Sequence, residues 1–467
     1  MASSSSLIFF LLLLLLLPCV SLAQSVGYGE QRRLRFLGKE CQLDRLSGMQ
    51  PRYRFESEAG VTEIFDEDDQ QLQCASVSVI RRTLKPLGLF LPAFSNNPSL
   101  SFGFEHGRGQ SERLGDEHQK ILHFRQGDIL AIPAGVAHWW YNSGDRPLVA
   151  ISFSDTSSSV NQLDKTHRQF MLAGTYRKEG SRGSFGGGQQ YSSSYHAFRS
   201  FDTRLLGEAL GISQELAQEI QREDPRGEMV MVREGLKLVF PPSKEQLREE
   251  EEESYGGLRG SKRCEGEEET IKRSSNGVRV AFCTARLREN INDPRRADIF
   301  VPHAGWLKKL TSQKLPILGI LKLSATRGVL HRQAITSPLW NVNAHCIVYV
   351  TRGRGRVQVV NDEGRAVHSG EIRQGQLLVV PQNFVMLIKA EDEGFEWVSF
   401  KTNDNAIESQ IAGKASVLRG LPVDVVANAF RLRNEDAFKV KFGRADGVGI
   451  FPAHSSQEEL GRPYAVV

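Results

Sequence analysis

The sequence predicts a mainly β protein of two related tandem domains, each closing in a short helical segment. Three observations carry that expectation: an internal repeat, short β-branched runs set between turn residues, and an amphipathic stretch ending each half. The segment Arg125–Pro133 (RQGDILAIP) recurs as Arg373–Pro381 (RQGQLLVVP), and a Ser-Phe pair follows each copy, Ser152-Phe153 and Ser399-Phe400. Both features share an offset of 247–248 residues. A chance match of one short motif would not preserve the downstream spacing, so the offset argues for duplication.

The strands come first. Val77 and Val79 alternate with polar neighbours after Cys74, and Ile347–Val350, Arg356–Val360 and Leu377–Val380 are short β-branched runs. Arg352–Gly355 and Asn361–Gly364 separate these runs as turns, and short strands at close spacing favour a barrel or sandwich. The helical ends follow. Leu205, Leu206, Ala209, Leu216 and Ile220 form an apolar stripe with Ser213 as an N-cap, while Pro422 opens a stretch carrying Val425, Val426, Ala429 and Phe430.

Composition bounds the rest. The 467 residues are 40% apolar and 24% charged, which is the globular range. A net charge of +4 implies no strong pull toward nucleic acid. That charge is uneven: from Gly277 onward 26 Lys/Arg stand against 18 Asp/Glu, so an acidic portion precedes a basic one. Residues 1–23 read as a secretory signal, with an apolar run Ile8–Leu17, small residues Ser21 and Ala23, and cleavage between Ala23 and Gln24. The run is shorter than the roughly 20 residues of a membrane span, and no later segment is longer, so no membrane partner is expected. Cys41, Cys74, Cys264, Cys283 and Cys346 then remain in an oxidising lumen. One or two bridges plus a buried thiol account for them, with Cys346 in its apolar run as that thiol.

Two segments read as loops. Residues 180–194 are Gly/Ser-rich, and residues 243–276 hold the acidic blocks Glu249–Glu253 and Glu267–Glu269, ending at Asn276-Gly277. The second stretch has too little apolar surface to offset its ordering entropy and should be open to proteases. The expected organisation is a signal (1–23), an N-terminal domain (24–242), the acidic loop (243–276) and a C-terminal domain (277–467).

The most specific motif is Gly127, Pro133, Gly135, His138 and Asn142, spaced G-x5-P-x-G-x2-H-x3-N. It resembles the second cupin motif at every fixed position. Here a strand carries Ile129 and Ile132 inward, Pro133 ends it, and Gly135 permits the tight turn to the next strand. With the repeat, the chain resembles a bicupin, which implies two jelly-roll β-barrels, each trailed by a small helical segment. Metal-using cupins surround that histidine with His-x-His and a Glu from an earlier strand. The matching stretch here, near Ala93–Leu100, holds no His or Glu, and in the second half Leu339, Asn341, Cys346 and Met386 stand at the corresponding positions. A lone His138 is no metal site, because three or more converging ligands are needed. It is expected to be a packed histidine beside Trp139 and Trp140, with no metal and no cofactor. No nucleophile motif replaces the lost metal, so no catalytic residue is assigned. Arg354 and Arg356 are expected to be solvated in a hairpin turn.

The chain is further similar to legumin-type (11S) seed storage globulins over nearly its whole mature length. Cys41 followed by QLDRL, with Cys74 33 residues on, resembles the family's intrachain disulfide pair. Asn276-Gly277 with Cys283 resembles the junction that an asparaginyl endopeptidase cuts to give an acidic and a basic chain. Asn341–Ala344, Gly353-Arg354 and Val357–Val360 are similar to the second-barrel core. The resemblance implies a nutrient reservoir without enzymatic activity, delivered by the secretory route to the seed's protein storage vacuole. Trimers of like subunits would stack into hexamers after cleavage. The apolar end, residues 463–467, resembles the family's sorting tails, and members are frequent food allergens. The sequence departs from the family in two places: Val278–Phe282 stands where an acidic run usually follows Gly277, and in a shortened stretch between Asn97 and His118 the acidic-chain cysteine that bridges to the Cys283 position is missing, with Gly107-Arg108 standing there. Cys264 is the candidate replacement partner. Competing expectations are a metal-dependent cupin enzyme, a barrel that keeps a pocket for a small apolar or sugar ligand, and a 7S vicilin-type trimer.

Overall fold

The computed structural model describes residues 41, 43–104, 109–114, 120–179, 191–236, 286–444 and 447–453. Ala23, Gln24, Gly107, Arg108, Cys264, Asn276, Gly277, Cys283, residues 243–276 and residues 463–467 lie outside the described residues.

The first half runs β1 (Tyr53–Ser57), β2 (Gly60–Ile64), α1 (Gln70–Ala75), β3 (Val77–Leu84), β4 (Gly88–Ser95), β5 (Ser99–Gly103), β6 (Gly109–Leu114), β7 (Lys120–Phe124), β8 (Asp128–Ile132), β9 (Ala137–Asn142), β10 (Leu148–Asp155), β11 (Gln169–Met171), β12 (Thr175–Glu179), β13 (Tyr191–Tyr195), α2 (Thr203–Leu210), α3 (Gln214–Ile220) and β14 (Met229–Met231). The second runs β15 (Arg288–Asn290), β16 (Ile299–Val301), β17 (Gly305–Leu310), α4 (Leu318–Leu321), β18 (Ser324–Leu330), β19 (Ile335–Thr336), β20 (Leu339–Asn341), β21 (Cys346–Val360), β22 (Ala366–Arg373), β23 (Leu377–Val380), β24 (Val385–Lys401), β25 (Glu408–Gln410), α5 (Val417–Gly420), α6 (Val423–Phe430), α7 (Asn434–Phe442) and β26 (Ile450–Phe451).

The chain is mainly β, with two jelly-roll barrels and small helical segments. In the first barrel a seven-stranded sheet, β1-β2-β3-β10-β5-β8-β15, faces a sheet ordered β11-β4-β9-β6-β7, with β14 also on β4. Between them lies a core that includes Ile80, Leu84, Phe90, Ala93, Leu130, Ile132, Trp140 and Ala150. In the second barrel the strands join one sheet in which β21 and β24 are long enough to serve both walls. Its interior is apolar, with Val348, Val357, Val359, Leu378, Met386, Ile388 and Phe395 among its residues.

The two barrels share a third core, drawn from Val77, Val79, Phe102, Ile129, Ile151 and Phe153 on one side and Ile347, Tyr349, Leu377, Val398 and Phe400 on the other. That shared core explains why β8 and β10 are buried at every position. One face of each strand looks into its own barrel and the other looks at the partner barrel. It also corrects one expectation. Ile129 and Ile132 do not point the same way, because strand parity puts Ile129 in the shared core and Ile132 in the barrel. On β3 the same parity sets Val77 and Val79 in the shared core and turns Ser78, Ile80, Arg82 and Leu84 to the first barrel, where Ser78 and Arg82 are buried, 1% and 7% exposed.

The repeat is visible as contacts. Phe153 and Phe400, the two copies of the Ser-Phe pair, stack face to face with centroids 5.2 Å apart and rings 3° from parallel. Arg81 donates to the Tyr349 hydroxyl at 3.2 Å, and its counterpart Arg327 lies over the Phe102 ring at 5.9 Å. Those four residues are two pairs at offsets of 246 and 247, so the halves meet about an approximate two-fold relation.

Two loop expectations change. Residues 352–355 are not a turn but part of β21, whose pairing with β24 shifts register around Gly353 and Gly355. Gly353 sits at φ 71°, so the strand bends without breaking, and Arg354 and Arg356 remain exposed along it. Tyr191–Tyr195, which overlaps the end of the expected Gly/Ser loop at residues 180–194, pairs with Thr175–Glu179. The turn at Asn361–Gly364 stands, as do the helical ends. Ser213 caps α3 by accepting from the Leu216 amide, and Pro422 precedes the first turn of α6.

Candidate functional site

The second cupin motif occupies β8, the turn after it, and β9. Gly127 precedes β8 at φ 90° and Gly135 makes the β8–β9 turn at φ 73°, where its amide donates to the Ser95 carbonyl at 2.7 Å. Both conformations are unfavourable for residues with a Cβ. Asn142 ends β9 fully buried. Its side-chain amide donates to the Leu84 carbonyl at 3.0 Å and the Arg146 carbonyl at 2.8 Å, while its Oδ1 accepts from the Gly144 amide. Asn142 therefore pins the β9–β10 hairpin to the end of β3.

His138 lies half-buried on β9, directly across from Ala93 on β4. Its Nδ1 is 3.2 Å from the Val136 carbonyl, and its ring packs beside Phe90 and Trp140 with centroids 6.2 Å away in each case. Burial pulls its pKa down to about 4, with the Arg82 charge adding to the effect and the Val136 carbonyl opposing it. The imidazole is neutral at ordinary pH, with Nδ1–H turned to Val136. In the second barrel the corresponding pair is Leu339 across from Met386.

A cupin metal does not fit these residues. The strand position facing His138 is a methyl group, and the equivalent pair in the other barrel is a leucine and a thioether. Among the described residues no three His, Cys, Asp or Glu side chains converge. No described helix is long and apolar enough to cross a membrane.

Several buried polar groups escaped the sequence reading, and two of them hold ion pairs inside the barrels. In the first barrel Arg82 meets Glu228 at 3.4 Å and lies over Phe90 at 4.8 Å, with Gln169 and Thr62 completing the hydrogen bonds. In the second, Lys401 pairs with Glu408, whose other oxygen is reached by Lys309. Cys346 is a buried free thiol beside this group, and burial pushes its pKa up. Arg82 and Lys401 lie toward the ends of β3 and β24, and no pattern in the chain marks them as buried. Cys41 and Cys74 form a disulfide, the pairing that the family resemblance implied.

The cupin family pattern matches residues 47–177 and 289–437. The 11S globulin seed storage protein Ana o 2.0101 of Anacardium occidentale is 45% identical over 426 residues, covering 86% of this chain and 91% of its own. The chain belongs to the legumin-type (11S) seed storage globulins. Cocosin 1 of Cocos nucifera is also 45% identical, over 464 residues and 94% of each chain. The crystal structure of coconut allergen cocosin superposes with a TM-score of 0.75 at 44% identity, covering 88% of this chain and 100% of that one. The legumin-type assignment agrees with the site: both barrels keep the cupin frame while the positions that hold metal elsewhere carry Ala93, Leu339 and Met386.

Proposed function

We propose that this legumin-type globulin is a precursor stockpiled as a nitrogen and amino-acid reserve and performs no catalysis. The observation that carries the reading is the replacement, in both barrels, of the ligands with which a cupin enzyme would hold its metal, leaving Ala93 across from His138 and Leu339 across from Met386. Arginine, whose side chain is rich in nitrogen, supplies 41 of the 59 basic residues, as suits a nitrogen store. The signal is removed between Ala23 and Gln24, and the chain travels to the protein storage vacuole. There an asparaginyl endopeptidase cuts Asn276-Gly277 to give the acidic and basic chains, with Cys264 the candidate partner for Cys283.

Trimer and then hexamer assembly is supported by the helical ends. Leu205 and Leu216 of the first half are 63% and 50% exposed, and Phe430 and Phe438 of the second are 57% and 48% exposed. Apolar side chains grouped this way on short helices mark surfaces that associate. The test is gel electrophoresis of tissue protein with and without reductant, followed by N-terminal sequencing and sedimentation. Two reduced bands, the smaller starting at Gly277, from a particle of six subunits are expected. One uncut band from a monomer would overturn the reading.

A further inference from the structure

Each half begins with a short arm, and each arm leaves its own barrel to lie on the other. Residues 43–50 precede β1 yet run along the second barrel. The Leu46 amide donates to the Val367 carbonyl at 2.8 Å, and Met49 exchanges two backbone hydrogen bonds with Leu377, at 2.7 and 2.9 Å. Leu43 and Leu46 are buried in the second barrel's core, and Met49 in the shared one.

Residues 286–291 precede the second barrel yet extend the sheet of the first. Strand β15 adds to the edge of β8 with Glu289 opposite Ile129, flanked by bonds of 2.8 Å from the Ala131 amide to the Leu287 carbonyl and from the Ile291 amide to the Gly127 carbonyl. Asn290 donates to Asp128 at 2.7 Å and to the Gln126 carbonyl at 3.1 Å. Leu287 and Ile291 are buried in the shared core.

The two docking edges are the two copies of the internal repeat. Leu377 lies 248 residues after Ile129, so the first arm meets β23 where the second arm meets β8. Gly127 shows that the fit is close: a Cβ there would stand 2.2 Å from the Asn292 Cβ. Gly48 on the other arm is nearly as tight, with a Cβ falling 3.1 Å from the Ile372 Cγ2.

We propose that the crossed arms are a reciprocal clasp sufficient to keep the two chains of the processed protein together, with or without a disulfide between them. The inference rests on the reading that the chain is cut between residues 243 and 286. After such a cut the N-terminal chain keeps residues 43–50 on β23, and the C-terminal chain keeps residues 286–291 on β8. Strand addition supplies main-chain hydrogen bonds at both edges, and the buried Leu and Ile side chains set the register. This accounts for a sequence with no cysteine between Cys74 and Cys264. The family's bridge to the Cys283 position is not needed to hold the halves.

The test uses the full chain carrying Cys283→Ser, with a site for a sequence-specific protease inserted between Asn276 and Gly277. The C-terminal chain then has Cys346, which is buried, as its remaining thiol. After cutting, the two chains should run apart on a denaturing gel without reductant yet leave a non-denaturing sizing column together. Chains that elute separately would overturn the clasp. Because the cut is engineered, failure of natural cleavage at Asn276 would be seen separately, in tissue protein.

Adding Leu287→Ala and Ile291→Ala to the cut protein should release free chains on dilution in mild urea, with an apparent Kd raised roughly a hundredfold or more. The uncut protein with the same substitutions should keep its elution position. A cut variant that holds together to the same dilution as its parent would also overturn the proposal. Asn290→Ala, which leaves the apolar core intact, provides the same comparison, with a smaller rise in Kd, should the double substitution impair folding.

Discussion

Replacing Glu408 by Gln should destabilise the C-terminal barrel more than any exposed ion pair could. Lys401 is 2% exposed and Glu408 10%, and the carboxylate holds Lys401 on one oxygen and Lys309 on the other. Removing the negative charge leaves the Lys401 ammonium buried against a neutral amide, and breaking such a pair costs about 3–5 kcal/mol. Titration gives a second route to the same magnitude. Burial works to raise the Glu408 pKa, but Lys401 and Lys309 outweigh it and hold the group at about 2 against an ordinary 4.5. A carboxyl with a depressed folded pKa stabilises fully above its unfolded value and loses that contribution as the pH falls to the folded one. The window is therefore about pH 4.5 down to about 2, and at about 1.4 kcal/mol per unit it holds about 3 kcal/mol. Urea unfolding followed by tryptophan fluorescence at pH 7 and pH 3 reads both effects. Glu408→Gln should lose stability at pH 7 and show a flatter acid dependence than the parent. The double variant Lys401→Met with Glu408→Leu should recover most of the loss, because apolar isosteres remove the buried charge altogether. A single variant within 1 kcal/mol of the parent, or a double as unstable as the single, would refute the reasoning.

Three further outcomes follow from the same structure. Asn142→Ala strands the Leu84 and Arg146 carbonyls without their donor and should cost about 2–4 kcal/mol, read as a lowered unfolding midpoint. Phe153→Ala and Phe400→Ala should each cost about 3–5 kcal/mol, and a double-mutant cycle should return a coupling of about 0.5–1.5 kcal/mol from the stacked rings. Purely additive losses would mean that the stack carries no energy of its own. The His138 ring protons should stay at their neutral-form NMR shifts from pH 8 to about 5 and titrate near 4; a midpoint at the ordinary histidine value would show that burial does not govern the ring.

The frame was legible in the chain because its signals are local. The repeat of RQGDILAIP and RQGQLLVVP, the spacing of Gly127, Pro133, Gly135, His138 and Asn142, and the missing ligands at Ala93, Leu339 and Met386 can all be read from sequence neighbours. In the structure Gly127 and Gly135 take the positive φ of their turns, and His138 and Asn142 lie on β9. The family resemblance likewise named the Cys41–Cys74 bond.

What only the tertiary structure decided concerns faces and partners. Strand periodicity separates two faces but cannot say that both are buried, so the packing of Val77, Val79 and Ile129 against the second barrel, opposite the face that turns Arg82 and Ile132 into the first, needed the tertiary structure. Residues 352–355 looked like a turn because glycine permits a turn and a bent strand equally, and pairing with β24 made the choice. The Lys401–Glu408 pair and the crossed arms join residues through contacts that leave no periodic trace in the chain. The sequence by itself determined the duplicated cupin frame and the absence of its metal ligands. The docking of one half's arm on the other's repeat strand was decided by long-range packing, because an edge strand accepts whichever backbone the fold brings to it.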